Sequence, residues 1–186
     1  MEGADPKTRL VIGITGLLGA GKTTAAQYLA SRYSFNYIRY SQVLADWFNE
    51  DPDRKPQLQV VGWEVMSSGL QAELNRRLIS RISSHGDWCV DGLRDPLDYE
   101  SLKNNFTSAF HLIYIECPQQ ERFSRLQKKC RVRTFEEFCA ADTHPVEQRI
   151  QLLRQFAEIC VTNRGPIKKL QVKLTEFMTS LRKENA

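Results

Sequence analysis

The chain has 186 residues, 41% of them hydrophobic and 26% charged, and a formal net charge of +4. That is the composition of a soluble globular protein, and its mild basicity suits an anionic ligand without arguing for nucleic acid. No apolar run nears the roughly 20 residues of a bilayer span, the polar start MEGADPKTRL lacks a signal-peptide core, and five scattered cysteines argue for a reducing cytosol over a disulfide framework.

Strand-like and helix-like stretches alternate along the chain. Arg9 to Thr15 reads as a buried strand and Lys22 to Arg32 as a helix. Asn36 to Tyr40 is strand-like, and Ser41 to Phe48 is helical with Ser41 as its expected N-cap. Asn49 to Pro56 is a polar loop. Leu58 to Ser83 reads as a long helix, with Leu70, Leu74, Leu78 and Ile82 four residues apart and Gly69 as a place to bend or split. Asp87 to Asp91 is a short strand. Pro96 to Asn104 is a helix with Asp95 as N-cap and proline at its first position. Ala109 to Cys117 is the clearest inner strand, and Pro118 opens a helix to about Lys129. Cys130 to Pro145 is polar and reads as irregular. Val146 to Glu158 is helical, Ile159 to Asn163 a strand, and Ile167 to Leu181 a final helix. Cys89, Cys117 and Cys160 fall in apolar runs and are expected in the core. Five short apolar strands separated by helices predict one α/β domain, a parallel sheet covered on both faces.

The turn after the first strand carries the chemistry. Gly16-Leu17-Leu18-Gly19-Ala20-Gly21-Lys22-Thr23 fits G-x-x-x-x-G-K-[ST] in full. Successive backbone N–H groups in such a loop point inward around a phosphate chain, which demands conformations glycine adopts freely. The helix starting at Lys22 adds its positive end. Gly16, Gly19, Ala20, Gly21, Lys22, Thr23 and Thr24 are therefore expected to hold a nucleoside triphosphate, read as ATP. The Lys22 ammonium would bridge the outer phosphates, and the Thr23 hydroxyl would ligate Mg²⁺. No N-K-x-D stretch reads guanine and no strand ends in paired acids, so neither a GTPase nor a motor ATPase is indicated. The size and the arginine-rich segment favour a small-molecule kinase.

Asp91 ends a strand beside the loop, placed either for the metal and acceptor or to cap the turn at Gly92. Arg94 could grip an acceptor phosphate bidentately or pair with Asp95 or Asp98. Arg122, Arg125, Arg131 and Arg133 are candidates to neutralise charge on a moving phosphoryl group, Arg131 and Arg133 foremost. Ser41, Asp46 and Arg54 lie in the expected acceptor half. Asp46 is either the base a hydroxyl acceptor would need or a surface carboxylate. Trp63 either stacks on the acceptor or packs in the core.

Two further stretches carry a resemblance. Val90-Asp91-Gly92-Leu93-Arg94-Asp95-Pro96, with Asp98-Tyr99-Glu100, resembles the strand-end signature of P-loop kinases acting on nucleoside and deoxynucleoside monophosphates, in the branch related to dephospho-CoA kinases. Arg122 to Leu126, Arg131, Arg133 and Thr134 to Phe138 are similar to that branch's lid, and Asn163-Arg164-Gly165 to its last strand end. The resemblance implies a P-loop NTPase three-layer sandwich with strand order 2-3-1-4-5. It implies an acceptor-binding segment at about 41–85 and a lid at about 122–145. It implies ATP and Mg²⁺ as cofactors, Ser41, Arg54, Arg94 and Arg122 on the acceptor, and Lys22, Asp91, Arg131 and Arg133 at the reacting phosphate, with Thr23 and Asp91 toward the metal. The partners are then small nucleotides, with no membrane, and the chain a monomer or homodimer in the cytoplasm. Two departures stand out: Met66 replaces an arginine of the long-helix segment, and the lid is short between Arg133 and Thr134. A hydroxyl kinase of the dephospho-CoA type, or a nucleotide-binding regulatory module with little turnover, are the alternatives.

Overall fold

The computed structural model describes residues 9–51, 55–83 and 85–184. In chain order these form β1 (Val11–Thr15), α1 (Lys22–Tyr33), β2 (Asn36–Arg39), α2 (Tyr40–Phe48), α3 (Lys55–Ser67), α4 (Gln71–Ile79), β3 (Trp88–Asp91), α5 (Pro96–Phe106), β4 (Phe110–Glu116), α6 (Gln119–Lys128), α7 (Phe135–Asp142), α8 (Pro145–Leu152), β5 (Ile159–Thr162) and α9 (Ile167–Glu184). Short 3₁₀ turns, Thr107–Ala109 and Leu153–Phe156, follow α5 and α8.

The five strands form one parallel sheet in the order β2-β3-β1-β4-β5, the order the resemblance implies. Val11 lies opposite Trp88 on one side and Phe110 on the other, so β1 is the central strand. Alternation sorts the strands into two cores. Val11, Val90, Phe110 and Leu112 pack with Val43 and Leu44 of α2, Leu74 and Leu78 of α4 and Leu102 of α5. Ile12, Ile14, Cys89, Ile113, Ile115 and Val161 pack with Ala25, Ala26 and Leu29 of α1 and Leu170, Leu174 and Met178 of α9. Helices thus cover both faces, and each layer buries its apolar stripe.

The expected long helix is two. Gly69 takes φ of +78° between α3 and α4, a left-handed value that L side chains rarely adopt, and the break turns Gln71 inward. The segment read as irregular contains α7. Thr134 caps it by accepting from the Glu137 N–H at 3.1 Å, while Glu137 accepts from the Thr134 N–H. That capping box stabilises the helix start by about 1 kcal/mol. Phe138, fully buried, then packs against Leu126 and Val132, with Leu18 and Phe123 beside them. Helix α8 ends at Leu152, earlier than its apolar pattern suggests, and continues as a 3₁₀ turn. Asp95 caps α5 as expected, accepting from the Leu97 N–H at 2.9 Å. Ser41 is not a cap: Arg39 takes that position without a side-chain bond, and Ser41 lies inside the first turn of α2. Cys89 is buried, but Cys160 is exposed on the outer strand β5, where it has no core to join. No described helix is long and apolar enough to cross a membrane.

Candidate active site

The carboxyl ends of β1, β2, β3 and β5 open into one cleft of about 540 Å³. Ligands of open parallel sheets bind at this edge, where loops and helix N-termini converge. Residues from the glycine turn, β2–α2, α3, α4, the β3–α5 turn, α6, α8 and the end of β5 all line it.

The floor is the turn between β1 and α1. Gly16 has φ of +142° and Gly21 +101°. A Cβ at Gly16 would collide with the Ile115 carbonyl, and one at Gly21 with the Asn163 amide. Glycine is therefore required twice over, by conformation and by space. Helix α1 starts at Lys22 with no side-chain cap. The N–H groups of Gly19, Gly21, Lys22 and Thr23 find no acceptor among the described residues. Four unpaired donors at a positive helix end make a socket for an anion. Asn163 braces the turn from behind, its Nδ2 donating to Ala20 O at 2.8 Å, and Arg125 donates to Asn163 O at 2.9 Å.

Lys22 donates from Nζ to Gly16 O at 2.6 Å and Leu17 O at 3.0 Å. Burial pushes its ammonium down to about 8, against the pull of Glu147 and Asp91. Glu147, at the start of α8, is buried and accepts from the Leu18 N–H at 2.7 Å. A carboxylate thus already occupies one donor of the turn. Asp91, also buried, accepts from the Tyr37 hydroxyl at 2.8 Å. The paired carboxylate holds the phenol of Tyr37 well above its ordinary range, with burial the larger cause.

Arg39, Ser41, Arg94 and Arg131 line the same cleft. Arg94 and Arg131 form no ion pair among the described residues, so the expected surface pairing of Arg94 with Asp95 or Asp98 does not form. Asp95 takes Arg149 instead, and Asp98 takes the Arg94 backbone N–H at 2.8 Å. Met66, in place of the arginine the resemblance implies, lines the cleft with Leu44, Leu58 and Leu74.

Other expected site residues lie elsewhere. The Arg122 side chain is 5% exposed and fully engaged: it pairs with Asp142 and donates to Leu18 O at 3.1 Å and Cys117 O at 3.2 Å. It clamps α6 to α7 and the glycine turn and does not line the cleft. Arg133 is exposed and outside the lining; its backbone N–H donates to Glu137 and its backbone carbonyl accepts from Gln127 Nε2. Asp46 is a surface carboxylate, paired with Arg81 at 2.5 Å. Trp63 packs edge-on against His144 with ring centres 5.5 Å apart. Arg54 lies outside the described residues.

Sequence reasoning missed Gln71, Asp98 and Glu147, and left Arg39 and Asn163 unassigned. Asp98 is fully buried, which raises its carboxyl from 3.8 to about 6 against the opposing bonds of Arg94, Gln71 and Asp95. Gln71 is 3% exposed; its Nε2 donates to Asp98 Oδ1 at 2.6 Å, while its Oε1 has no partner among the described residues. Leaving such an acceptor unpaired costs roughly 1–3 kcal/mol. The only advance signal was Gly69, which ends one helix and starts another at Gln71.

A family model described as an AAA domain (AAA_18) matches residues 12–142. The chain belongs to that family. The matched span runs from β1 to the end of α7 and so contains the glycine turn, Asp91 and Arg94. An Archaeoglobus fulgidus UPF0200/UPF0201 protein is 27% identical over 93% of this AAA-domain chain. The chain spans 56% of that relative's length. Among solved structures, a shikimate kinase from Acinetobacter baumannii in complex with shikimate is similar with a TM-score of 0.67 at 19% identity, covering 94% of this chain and 95% of its own. A gluconokinase from Sinorhizobium meliloti 1021 gives 0.55 at 13%, covering 97% and 99%. TT1252 from Thermus thermophilus gives 0.60 at 21%, covering 94% and 99%. At these identities the likeness is one of fold, the P-loop three-layer sandwich.

Proposed function

We propose that the chain transfers the γ-phosphate of ATP, with Mg²⁺, to a small phosphorylated metabolite, a nucleoside or deoxynucleoside monophosphate. The observation that supports this is a single cleft with two poles. One pole is the donor socket, with unpaired amides and Lys22. The other carries Arg39, Arg94 and Arg131, none of which forms an ion pair among the described residues; Arg39 donates to the neutral Gln42 amide. The two poles fit a ligand pair that is anionic at both ends. The kinases among the structural neighbours, which by their names act on small molecules, agree with that reading.

The residues then have these roles. Amides of Gly19 to Thr23 hold the donor phosphates, and Lys22 leaves its two carbonyl partners to neutralise them. Arg94 binds the acceptor phosphate from the turn after β3, with Ser41 and Arg39 beside it. Arg131, and Arg133 on closure, neutralise charge on the moving group, and most of α6 with α7 acts as the lid at about 122–145. Arg122 positions that lid and touches no substrate. The whole is read as one domain, with an acceptor-binding segment at about 41–85.

Mg²⁺ is compatible with the residues present. Among the described residues no group of three His, Cys, Asp or Glu could hold an ion alone. Thr23 and Asp91 offer one hydroxyl and one carboxylate, which is what a magnesium ion held mainly by phosphates and water requires. When bound, the ion would lower the charge on the transferring phosphate. An already ionised phosphate acceptor needs orientation and no base. A hydroxyl acceptor is the second reading, because Glu147 and Asp91 are two carboxylates in the same cleft.

The test is transfer of label from [γ-³²P]ATP and Mg²⁺ to a panel of ribo- and deoxynucleoside monophosphates, with dephospho-CoA and shikimate as hydroxyl acceptors. Labelled diphosphate is expected. Labelled hydroxyl product would favour the second reading. Tight ATP binding without acceptor-dependent ADP would make the protein a nucleotide-binding module.

A further inference from the structure

Among the described residues with a buried polar atom left unpaired, Gln71 is the one that lines the cleft. It sits at the first position of α4, lines the cleft, and is 3% exposed. Its neighbours in the same layer are satisfied: the Tyr40 hydroxyl donates to Asn75 Oδ1 at 2.8 Å, and Asn75 Nδ2 donates to Leu97 O at 3.1 Å and to Ser101. Asp98 fixes the orientation of the Gln71 amide. Its Oδ2 takes the backbone N–H groups of Arg94 and Asp95, and its Oδ1 takes Gln71 Nε2. With the NH₂ committed to a carboxylate, the carbonyl oxygen is the free end. Buried polar groups are otherwise nearly always paired, so a lone acceptor lining a cleft points to a donor that arrives with the ligand.

The surroundings define that donor. Leu44, Leu58, Met66 and Leu74 line the same cleft and give apolar contact to a flat ring, and none of these side chains has an N–H or O–H. Uracil, thymine and guanine place carbonyl oxygens directly beside their ring N–H, and those oxygens would need donors that these four residues lack. Guanine also carries an exocyclic amine, but beside its ring N–H, which is next to the C6 carbonyl, whereas adenine and cytosine present theirs beside an unprotonated ring nitrogen. Because the Arg94 N–H is bound to the same Asp98 that orients Gln71, the phosphate-binding arginine and the amide are set by one carboxylate.

We infer that Gln71 is the specificity-determining residue of the acceptor site, its Oε1 accepting from the exocyclic amine of an adenine or cytosine nucleoside monophosphate. The inference rests on the nucleotide-acceptor reading above and names the class of base within it.

The test compares kcat/KM for AMP and CMP with UMP, GMP and dTMP, and with the amine-less analogues purine riboside 5′-monophosphate and pyrimidin-2-one riboside 5′-monophosphate. For wild type, AMP or CMP is best, and its analogue is poorer by about 10- to 100-fold, the worth of one buried hydrogen bond. In Gln71→Met, which keeps the length and removes the acceptor, that ratio collapses toward one, while ATP affinity stays within about 2-fold as a control on folding. A ratio unchanged in Gln71→Met overturns the inference and leaves the kinase reading standing. Wild type that transfers to no nucleoside monophosphate overturns both. Should the variant fail to fold, wild type decides alone, since absence of discrimination against the amine-less analogue also overturns the inference.

Discussion

The two poles of the cleft are built by different means. The proposed donor socket is backbone: eight consecutive residues, with Gly16, Gly19 and Gly21 all at positive φ, and a helix N-terminus, joined by the side chain of Lys22. The acceptor pole is side chains drawn from β2, α2, α3, α4 and the β3–α5 turn. A socket made of amides tolerates almost any residue between its glycines. A pocket made of side chains changes specificity with each one. On the proposed reading, the chemistry of donor binding follows from the fold, while the acceptor identity rests on Arg94, Gln71, Met66 and their neighbours.

The largest effect is expected at the donor pole. Lys22→Ala removes the ammonium held against the glycine turn, and phosphoryl transfer should fall by roughly 100-fold or more in steady-state assays. At the acceptor pole, Arg94→Ala should raise the acceptor KM by about 10- to 100-fold and leave the Kd for ATP nearly unchanged. If Arg94→Ala weakens ATP instead, the division into two poles is wrong.

Glu147 sits against the glycine turn through the Leu18 N–H, and its replacement sharpens the comparison. Glu147→Gln removes a carboxylate from the Leu18 N–H and should tighten ATP at pH 7 by several-fold, on the order of 1 kcal/mol in titration calorimetry. A weaker complex would show that Glu147 supports the bound state. The charge on Lys22 adds a pH dependence. Burial lowers its ammonium to about 8, and only the cation binds phosphate, so ATP affinity should be greatest below pH 8 and weaken above it. Lys22→Arg, which stays charged, should lose that dependence. The smallest effect concerns stability. Asp98 holds its proton more tightly folded than unfolded, so its contribution is fully present below about pH 4 and is lost as pH rises through about 6. Asp98→Asn should flatten the change of melting temperature across that window.

The same contrast explains what could be read in advance. The five strands, their helices and the donor socket are encoded in contiguous residues, so apolar runs and glycine spacing reveal them. Helix α7 was also locally encoded, in the Thr134 and Glu137 capping box, and was passed over because its surroundings are polar. The acceptor pole is encoded at a distance. Gln71 meets Asp98 across 27 residues, and even the glycine turn takes a distant partner, Glu147 meeting Leu18 across 129, pairings that no local pattern announces. Arg122 shows the converse. Its neighbourhood looks like that of a phosphate ligand, yet Asp142, 20 residues on, has already engaged it. Ser41 looked like a cap because its residue type favours one, but the helix begins one residue earlier.

The claim on which the account depends is that the amides after Thr15 receive a polyphosphate. An ATP titration of ¹⁵N-labelled protein with Mg²⁺, followed by backbone amide NMR, tests it most directly. The account predicts saturable shifts centred on Gly19, Gly21, Lys22 and Thr23 that disappear in Lys22→Ala. Shifts centred elsewhere, or unchanged in that variant, would contradict it.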